Sequence, residues 1–332
     1  MSKRHILVDT SNLFFRAMGY GQSGASEQEI VSMTLAAASS IIAKSYEMFD
    51  ASHTMLAFES FSWRRVAYPE YKSGRRQGQM TAKEEKIQKL LYESIDKFRD
   101  FVATQTNASP IRANMAEGDD IIARWIELHP DVEHIVISTD GDMHQLVRPG
   151  VSVFSGMTNK CWTHNGVLIS EENMLKKTPV SFQKWNSTWR NFDGEFDPKW
   201  SLYEKIMRGD RSDSIPTAVK PRTRTTVLRE AYSDPEALEK LIDTVREDLP
   251  GKPKVGDLIA RNTKLVDLSY RPPEVNQSID AVVKELRDRE RQSRIGIKYQ
   301  FFCRDHGMVR AGQLAHKFAR PYSNPVHHEE AA

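Results

Sequence analysis

The sequence predicts an α/β fold: a central, mainly parallel, twisted sheet flanked by helices, followed by a smaller C-terminal helical domain. Three observations carry this expectation. The short apolar runs HILVD (5–9), TMLAFE (54–59) and HIVISTD (134–140) each end in a carboxylate. Longer stretches with helical spacing lie between them, and strands alternating with helices argue a parallel sheet covered on its faces. From about residue 206 onward the pattern is helical, interrupted at Pro250–Pro253 and at Arg271-Pro272-Pro273. At roughly 150 residues per domain, the 332 residues divide into two domains, 1–201 and 202–332.

Each element has its own signal. HILVD is the first strand, Ile30–Ala43 reads as a helix, and TMLAFE is a second strand. The basic YKSGRRQGQM (71–80), glycine-bearing and almost without apolar residues, is expected to be mobile. Residues 81–103 form a helix, because Thr81 and Glu84 have capping-box spacing and Ile87, Leu90, Leu91, Ile95, Phe98 and Val102 recur at helical intervals. MAEGDDIIARWIEL (115–128) opens a helix at its acids, with Ile121, Ile122, Trp125 and Ile126 as the buried stripe. In VISTDGDMHQL a strand ends and Gly141 permits a tight turn; Val151–Trp162 then reads as a hairpin at the sheet edge, turning at Thr158-Asn159. Residues 170–205, with Trp185, Trp189 and Trp200, read only as a connection, and the tail NPVHHEEAA is expected to be disordered.

Composition excludes several classes. No run approaches the 18 apolar residues of a membrane span, and MSKRHILVD reaches an aspartate too soon for a signal peptide. Cys161 and Cys303 form neither a CxxC pair nor a zinc spacing, so the expected compartment is a reducing cytoplasm.

Nine carboxylates stand at strand ends or helix starts: Asp9, Glu59, Glu117, Asp119, Asp120, Asp140, Asp142, Asp210 and Asp213. Singly, each has a plain explanation as a helix cap or a turn residue. In open α/β sheets, however, ligands collect beyond the carboxyl ends of the strands. So many acids converge only if cations compensate them, since like charges a few ångströms apart raise one another's pKa. An all-oxygen donor set without nearby histidine or cysteine suits Mg2+ or Mn2+ better than zinc. Two such ions activate water and stabilise the leaving oxygen of a phosphodiester. The net charge of +2 conceals the complement: with the nine set aside, 47 lysines and arginines face 36 remaining acids, a balance that suits a polyanion. In RGDRSDSIPTAVKPRTRTT (208–226) the two kinds of charge adjoin, Asp210 and Asp213 running into Lys220, Arg222 and Arg224.

Five segments in this order, ILVDTSN, FESFSWRRVAYPEYKSGRR, EGDDIIA, ISTDGDMHQL and GDRSDSIP, resemble the flap endonuclease and 5′–3′ exonuclease family over residues 5–220. The fit is closest to its T-even phage ribonuclease H type. The resemblance implies a PIN-like 5′ nuclease fold, a nuclease domain at 1–201 and a duplex-binding helical domain at 202–332. It implies a monomer that removes flaps or RNA primers near 5′ ends of nicked or branched DNA and RNA–DNA hybrids during replication, in a bacterial host's cytoplasm if the source is viral. Carried over by position, Asp9, Glu59, Glu117, Asp119 and Asp140 surround a first Mg2+, Asp120 and Asp142 lie near both ions, and Asp210 and Asp213 serve the second, with Mn2+ as a substitute. Lys72 and Arg75, in a Y-K-x-x-R pattern, would meet the scissile phosphate, with Arg76 as helper. The segment near 72–90 takes the place of the family's arch, past which a 5′ single strand runs. Lys220, Arg222 and Arg224 would contact duplex phosphates.

Two departures stand out. Glu59 replaces a usual aspartate, and Thr217 replaces a glycine of a phosphate-binding hairpin, which removes the basis for backbone cradling and for any monovalent ion site there. Competing readings are a PIN-type single-strand ribonuclease, whose members are shorter and lack GDRSD, and a non-catalytic DNA-structure binder, which has no use for nine acids facing a polyanion. An aspartyl phosphatase would want DxD at the first strand, where Asp9 is followed by Thr10 and Ser11. Whether the protein partners a single-strand DNA-binding protein or a sliding clamp is not encoded in any motif.

Overall fold

Alternation along the first strand decides the architecture. In β1 (Arg4–Asp9), Ile6 and Val8 point to one face and Leu7 to the other, and all three are fully buried. A strand buried on both faces needs cover on both. The computed structural model describes residues 3–18, 24–76, 81–170, 189–193 and 196–326. Among them an eight-stranded sheet runs in the order β3-β2-β1-β4-β5-β6-β7-β8. Its strands are β2 (His53–Ala57), β3 (Ser109–Ile111), β4 (Glu133–Ile137), β5 (Val151–Ser155), β6 (Lys160–Thr163), β7 (Gly166–Ser170) and β8 (Trp189–Asp193). The pairs from β3 to β5 are parallel; β5 through β8 are antiparallel.

The β5–β6 hairpin, with Asn159 in its turn at φ 51°, is therefore not at the sheet edge as expected. β7 and β8 extend the sheet beyond it, β8 within the stretch that reads as connection and β7 just before it.

One face is covered by α1 (Thr10–Ala17), α2 (Glu27–Met48) and α4 (Ala82–Gln105). α2 and α4 both begin with a capping box, Ser26 with Glu29 and Thr81 with Glu84, and both are longer than their periodicity alone marks. The other face carries α3 (Trp63–Ala67) and α5 (Gly118–Leu128), whose Ile121, Ile122, Trp125 and Ile126 are all buried. After β8 come α6 (Pro198–Arg208), α7 (Thr225–Ser233), α8 (Pro235–Ile242) and α9 (Val255–Val266). These have cores of their own: Ile206, Ile215, Leu265 and Val266 around Tyr71, and Trp200, Met207, Val219, Leu228 and Val255.

The last helices return to the sheet. α10 (Pro273–Arg287) buries Val275, Ile279 and Val283 beside α5. α11 (Ile295–Asp305), α12 (Val309–Gln313) and α13 (Ala315–Phe318) join the core of α2 and α4, where Phe101 stacks on Phe302 at 4.7 Å between ring centres. The segment after Leu202, expected as one helical unit, thus divides between its own clusters and the two flanking the sheet. No described helix is long and apolar enough to cross a membrane.

At the amino ends of the strands lies a buried cluster of His5 (β1), His53 (β2) and His134 (β4), with Trp125 and, partly buried, His129. The His5 ring lies 5.2 Å from His53, 5.7 Å from His129 and 5.8 Å from both His134 and Trp125. Burial drives the His134 pKa down to about 4.

Candidate metal centre

The chain builds β1, β2 and β3 outward and then crosses to β4 on the other side of β1. That reversal opens a crevice at the carboxyl ends of β1 and β4. Asp9 closes β1 and caps α1: Asn12 N–H donates to its Oδ1 (3.1 Å) and Ser138 Oγ to its Oδ2 (2.9 Å). Ser138, just past β4, also accepts from the Asp140 amide at 3.0 Å, and Asp140 Oδ1 accepts from the Asp142 amide at 3.0 Å, opening the 3-10 turn Gly141–Leu146. Gly141 has no positive φ and open space where a side chain would stand, so this turn does not require glycine. Gly118, opening α5, packs against both neighbouring acids: a Cβ there would stand 3.7 Å from Asp9 Oδ1 and 3.8 Å from Glu59 Cγ.

These elements wall a cleft of about 510 Å³ lined by Asp9, Glu59, Asp119, Asp140, Asp142 and Asp213, together with Lys72. Crowding shows in the titration of its acids. Burial and then the charge of Glu59 raise Asp9 to about 7, and burial and then Glu117 push Asp119 well above the usual carboxylate range. Among the described residues, no histidine or cysteine lines the cleft.

Two of the nine expected ligands are placed otherwise. Asp120 is fully buried; its oxygens accept from Arg64 at 2.8 and 2.9 Å and from Trp63 Nε1 at 3.2 Å. It turns away from the cleft and anchors α5, which corrects the expectation that it lies near both ions. Glu117 likewise lies outside the cleft lining, accepting from Arg64 (3.0 Å), Tyr71 Oη (3.1 Å) and Lys72 Nζ. Burial opposes its ionisation, but Lys72 and Arg64 together hold its pKa below the ordinary value. Arg64, buried and bonded also to the Leu265 carbonyl at 2.9 Å, is the residue sequence reasoning missed; the tandem arginines after Trp63 were its only trace.

The third acidic element is the loop Gly209–Pro216. Gly209 has φ +70°, and a Cβ there would fall 2.2 Å from the Ile215 carbonyl, so only glycine fits. Asp210 and Ile215 then close the loop through both of their amides. Asp142, Asp210 and Asp213 bring carboxylate oxygens within 4.8 Å of one another. A second unanticipated residue joins them: Lys205, on α6, contacts Asp142 and lies 2.7 Å from Asp210 Oδ2. Burial opposes the charge on Asp210, but Lys205 and Ser212 outweigh it and bring its pKa down to about 2.

The basic segment expected to be mobile is fixed at its start. Lys72 N–H donates to the Asp213 carbonyl (2.8 Å), Gly74 N–H to Ser214 Oγ (3.0 Å), and Tyr71 Oη to Asp213 Oδ2 (3.0 Å). Lys72 Nζ lies 3.9 Å from Asp213 Oδ2. Arg75 and Arg76 follow in the 3-10 turn Ser73–Arg76; residues 77–80, and with them part of the expected arch, lie outside the described residues, as does the tail beyond 326. Phe15 and Tyr92 stack edge to face at 5.3 Å on the cleft wall.

Lys220, Arg222 and Arg224 are exposed beyond the acidic loop, with Arg222 at φ 67°. Where the glycine is replaced, Arg246 compensates. Its buried Nη1 donates to three successive carbonyls, Thr217 (3.0 Å), Ala218 (2.9 Å) and Val219 (2.7 Å), while Asp248 holds its other side. Asn262 adds a bond to the Pro216 carbonyl at 2.9 Å.

Comparison with known proteins agrees with this fold. Residues 4–178 match the N-terminal resolvase-like domain of the 5′–3′ exonuclease family. Among solved structures, a variant of the bacteriophage T5 flap endonuclease in a product complex with DNA and metal ions superposes with TM-score 0.59 at 22% identity, covering 86% of this chain and 100% of the other. The T5 5′-exonuclease with divalent zinc bound gives TM-score 0.56 at 22% identity, covering 92% and 99%.

Proposed function

The chain belongs to the 5′–3′ exonuclease family through its N-terminal resolvase-like domain, and from that premise we propose that it is a divalent-metal-dependent 5′ nuclease of branched, nicked or RNA–DNA duplexes. The carrying observation is one cleft lined by six carboxylates with Lys72 at their side. The donor set fits Mg2+, with Mn2+ as substitute, because every offered ligand atom is a hard carboxylate oxygen. Asp142, Asp210 and Asp213 would hold one ion, and Asp9, Glu59, Asp119 and Asp140 the other. Bound there, two such ions supply an activated water and neutralise charge on the leaving oxygen.

The chain's own residues do the rest. Arg64 fixes Glu117 and Asp120 at the start of α5, which keeps the neighbouring Asp119 in the cleft. Lys72 stands where a scissile phosphate would gain charge in the transition state, and Arg75 follows it by one turn. Phe15 and Tyr92 offer faces on which a nucleobase stacks, a contact tolerant of sequence. Lys220, Arg222 and Arg224, with Arg76 as a further cation, bind duplex phosphates in a salt-dependent way. Removal of flaps or RNA primers in replication, as in the T-even phage ribonuclease H type, is the finer reading.

The test uses 5′-labelled flap, nicked RNA–DNA and single-stranded RNA substrates, each with Mg2+ or with chelator. Short 5′ products are expected from the duplex substrates, lost with chelator and reduced at least a hundredfold in Asp140→Ala, about 2.7 kcal/mol of transition-state stabilisation. Cleavage that persists in chelator sinks the metal reading. Cleavage of single-stranded RNA alone replaces it with a PIN-type ribonuclease, and tight flap binding without any cleavage replaces it with a DNA-structure binder.

A further inference from the structure

Lys205 occupies an unusual place for a helix-terminal lysine. It lies in the last turn of α6, where a cation favours the helix dipole, and a bond to Asp210 alone would be ordinary. Its ammonium also contacts Asp142, which comes from a different element, the turn after β4. The two carboxylates it engages are two of the three whose oxygens converge within 4.8 Å. An ammonium and a divalent cation compete for those oxygens, since each must be coordinated at close range. α6 itself is tied to its neighbours: its C-terminal Arg208 bonds the Thr223 carbonyl at 3.2 Å and Thr225 Oγ1 at 2.8 Å, and Asn262 holds the Ile206 carbonyl at 2.9 Å. The helix stays in place, so only the flexible four-carbon stem of Lys205 can yield the position.

We propose that Lys205 is a built-in counter-ion that holds Asp142 and Asp210 until a substrate phosphate draws its ammonium away, so that the second divalent ion is taken up only together with DNA. The proposal rests on the metal-dependent reading of the cleft and adds an order of events to it. Lys205 is a positioning residue: it keeps the acid pair compact in the free protein and makes metal uptake conditional on nucleic acid. A neutral side chain of similar length removes the competitor, while arginine retains a cation.

The test is Mn2+ binding by the full chain, followed as free Mn2+ by electron paramagnetic resonance, with and without a short nicked duplex bearing a non-hydrolysable phosphorothioate at the cleavage position. Wild type is expected to bind one Mn2+ tightly without DNA and a second at least tenfold more weakly, the second tightening when DNA is added. In Lys205→Met and Lys205→Gln the second ion should bind at least tenfold more tightly without DNA and lose most of its DNA dependence; Lys205→Arg should behave as wild type. Two ions bound with the same affinities in wild type and both neutral variants would overturn the role of Lys205 and leave the metal reading intact. Failure of every protein to bind Mn2+, with DNA or without, would overturn both.

Discussion

His134 and Asp9 lie at opposite ends of neighbouring strands and titrate in opposite senses. His134 is buried neutral, its folded pKa of about 4 lying below the unperturbed 6.5. The unfolded chain therefore binds the extra proton more readily, so the stability His134 contributes is complete above pH 6.5 and is lost as pH falls toward 4. Asp9 has the reverse sign: raised from 3.8 to about 7, its carboxyl favours the folded, metal-free protein as pH falls through 7. The two offset each other in wild type, and a difference measurement separates them. In urea denaturation, His134→Gln should gain about 2 kcal/mol relative to wild type between pH 7 and pH 5, from 1.36 kcal/mol per pKa unit. A constant difference between the two proteins would contradict the assignment. Single residues also mark where the sequence misled. Asp9, Asp119, Asp140, Asp142 and Asp213 were legible because strand ends and helix starts point into one crevice. Asp120 was not, because its neighbour in sequence faces the cleft while a 100° step along the helix turns its own carboxylate toward Arg64, whose burial no local pattern announces.

Elements with strong local signals were recovered with near-native limits: the capping box fixed the start of α4, and the apolar stripe fixed α5. β7 and β8 were missed because five-residue strands in or beside a tryptophan-rich stretch carry too little periodicity to stand out. At Thr217–Val219 the sequence shows a missing glycine but not what holds the loop instead, which is Arg246, 27 to 29 residues away. Removing that guanidinium would leave the Thr217 and Ala218 carbonyls short of this donor, while Val219 keeps the Thr217 hydroxyl at 2.9 Å, a cost of about 1–3 kcal/mol for each carbonyl left buried and unsatisfied. In Arg246→Met, the amide of Ala218, bonded to the Met207 carbonyl at 2.9 Å, should exchange much faster with solvent while sheet amides keep their protection. Affinity for a nicked duplex should fall on the order of tenfold, or ~1.4 kcal/mol. Unchanged exchange at Ala218 would show that the loop does not depend on the clamp.

Across the whole molecule, the first strands and the last helices share one core. Tyr322 is fully buried against Phe98 and Tyr299; its carbonyl accepts from the Asn107 amide at 2.9 Å, and Asn324 bonds both His53 and Tyr46 at 2.9 Å. The sequence shows α10 to α13 as helices but not which surface they cover, because an amphipathic stripe names no partner. A chain ending at residue 294 should therefore lose cooperative thermal unfolding, although every carboxylate of the cleft is still present. A sharp calorimetric transition in that truncated protein would refute the dependence.

This return of the C-terminal helices has a consequence for biosynthesis. Nascent chains emerge from the ribosome amino end first, and contacts spanning nearly the full length form last. The strands that carry the acids are exposed early, yet their helical cover on the α2–α4 face stays incomplete until residues 295–322 have emerged. A nascent chain that has reached only residue 294 would thus hold all nine acids without a settled crevice, which takes shape only once residues 295–322 have emerged and folded back.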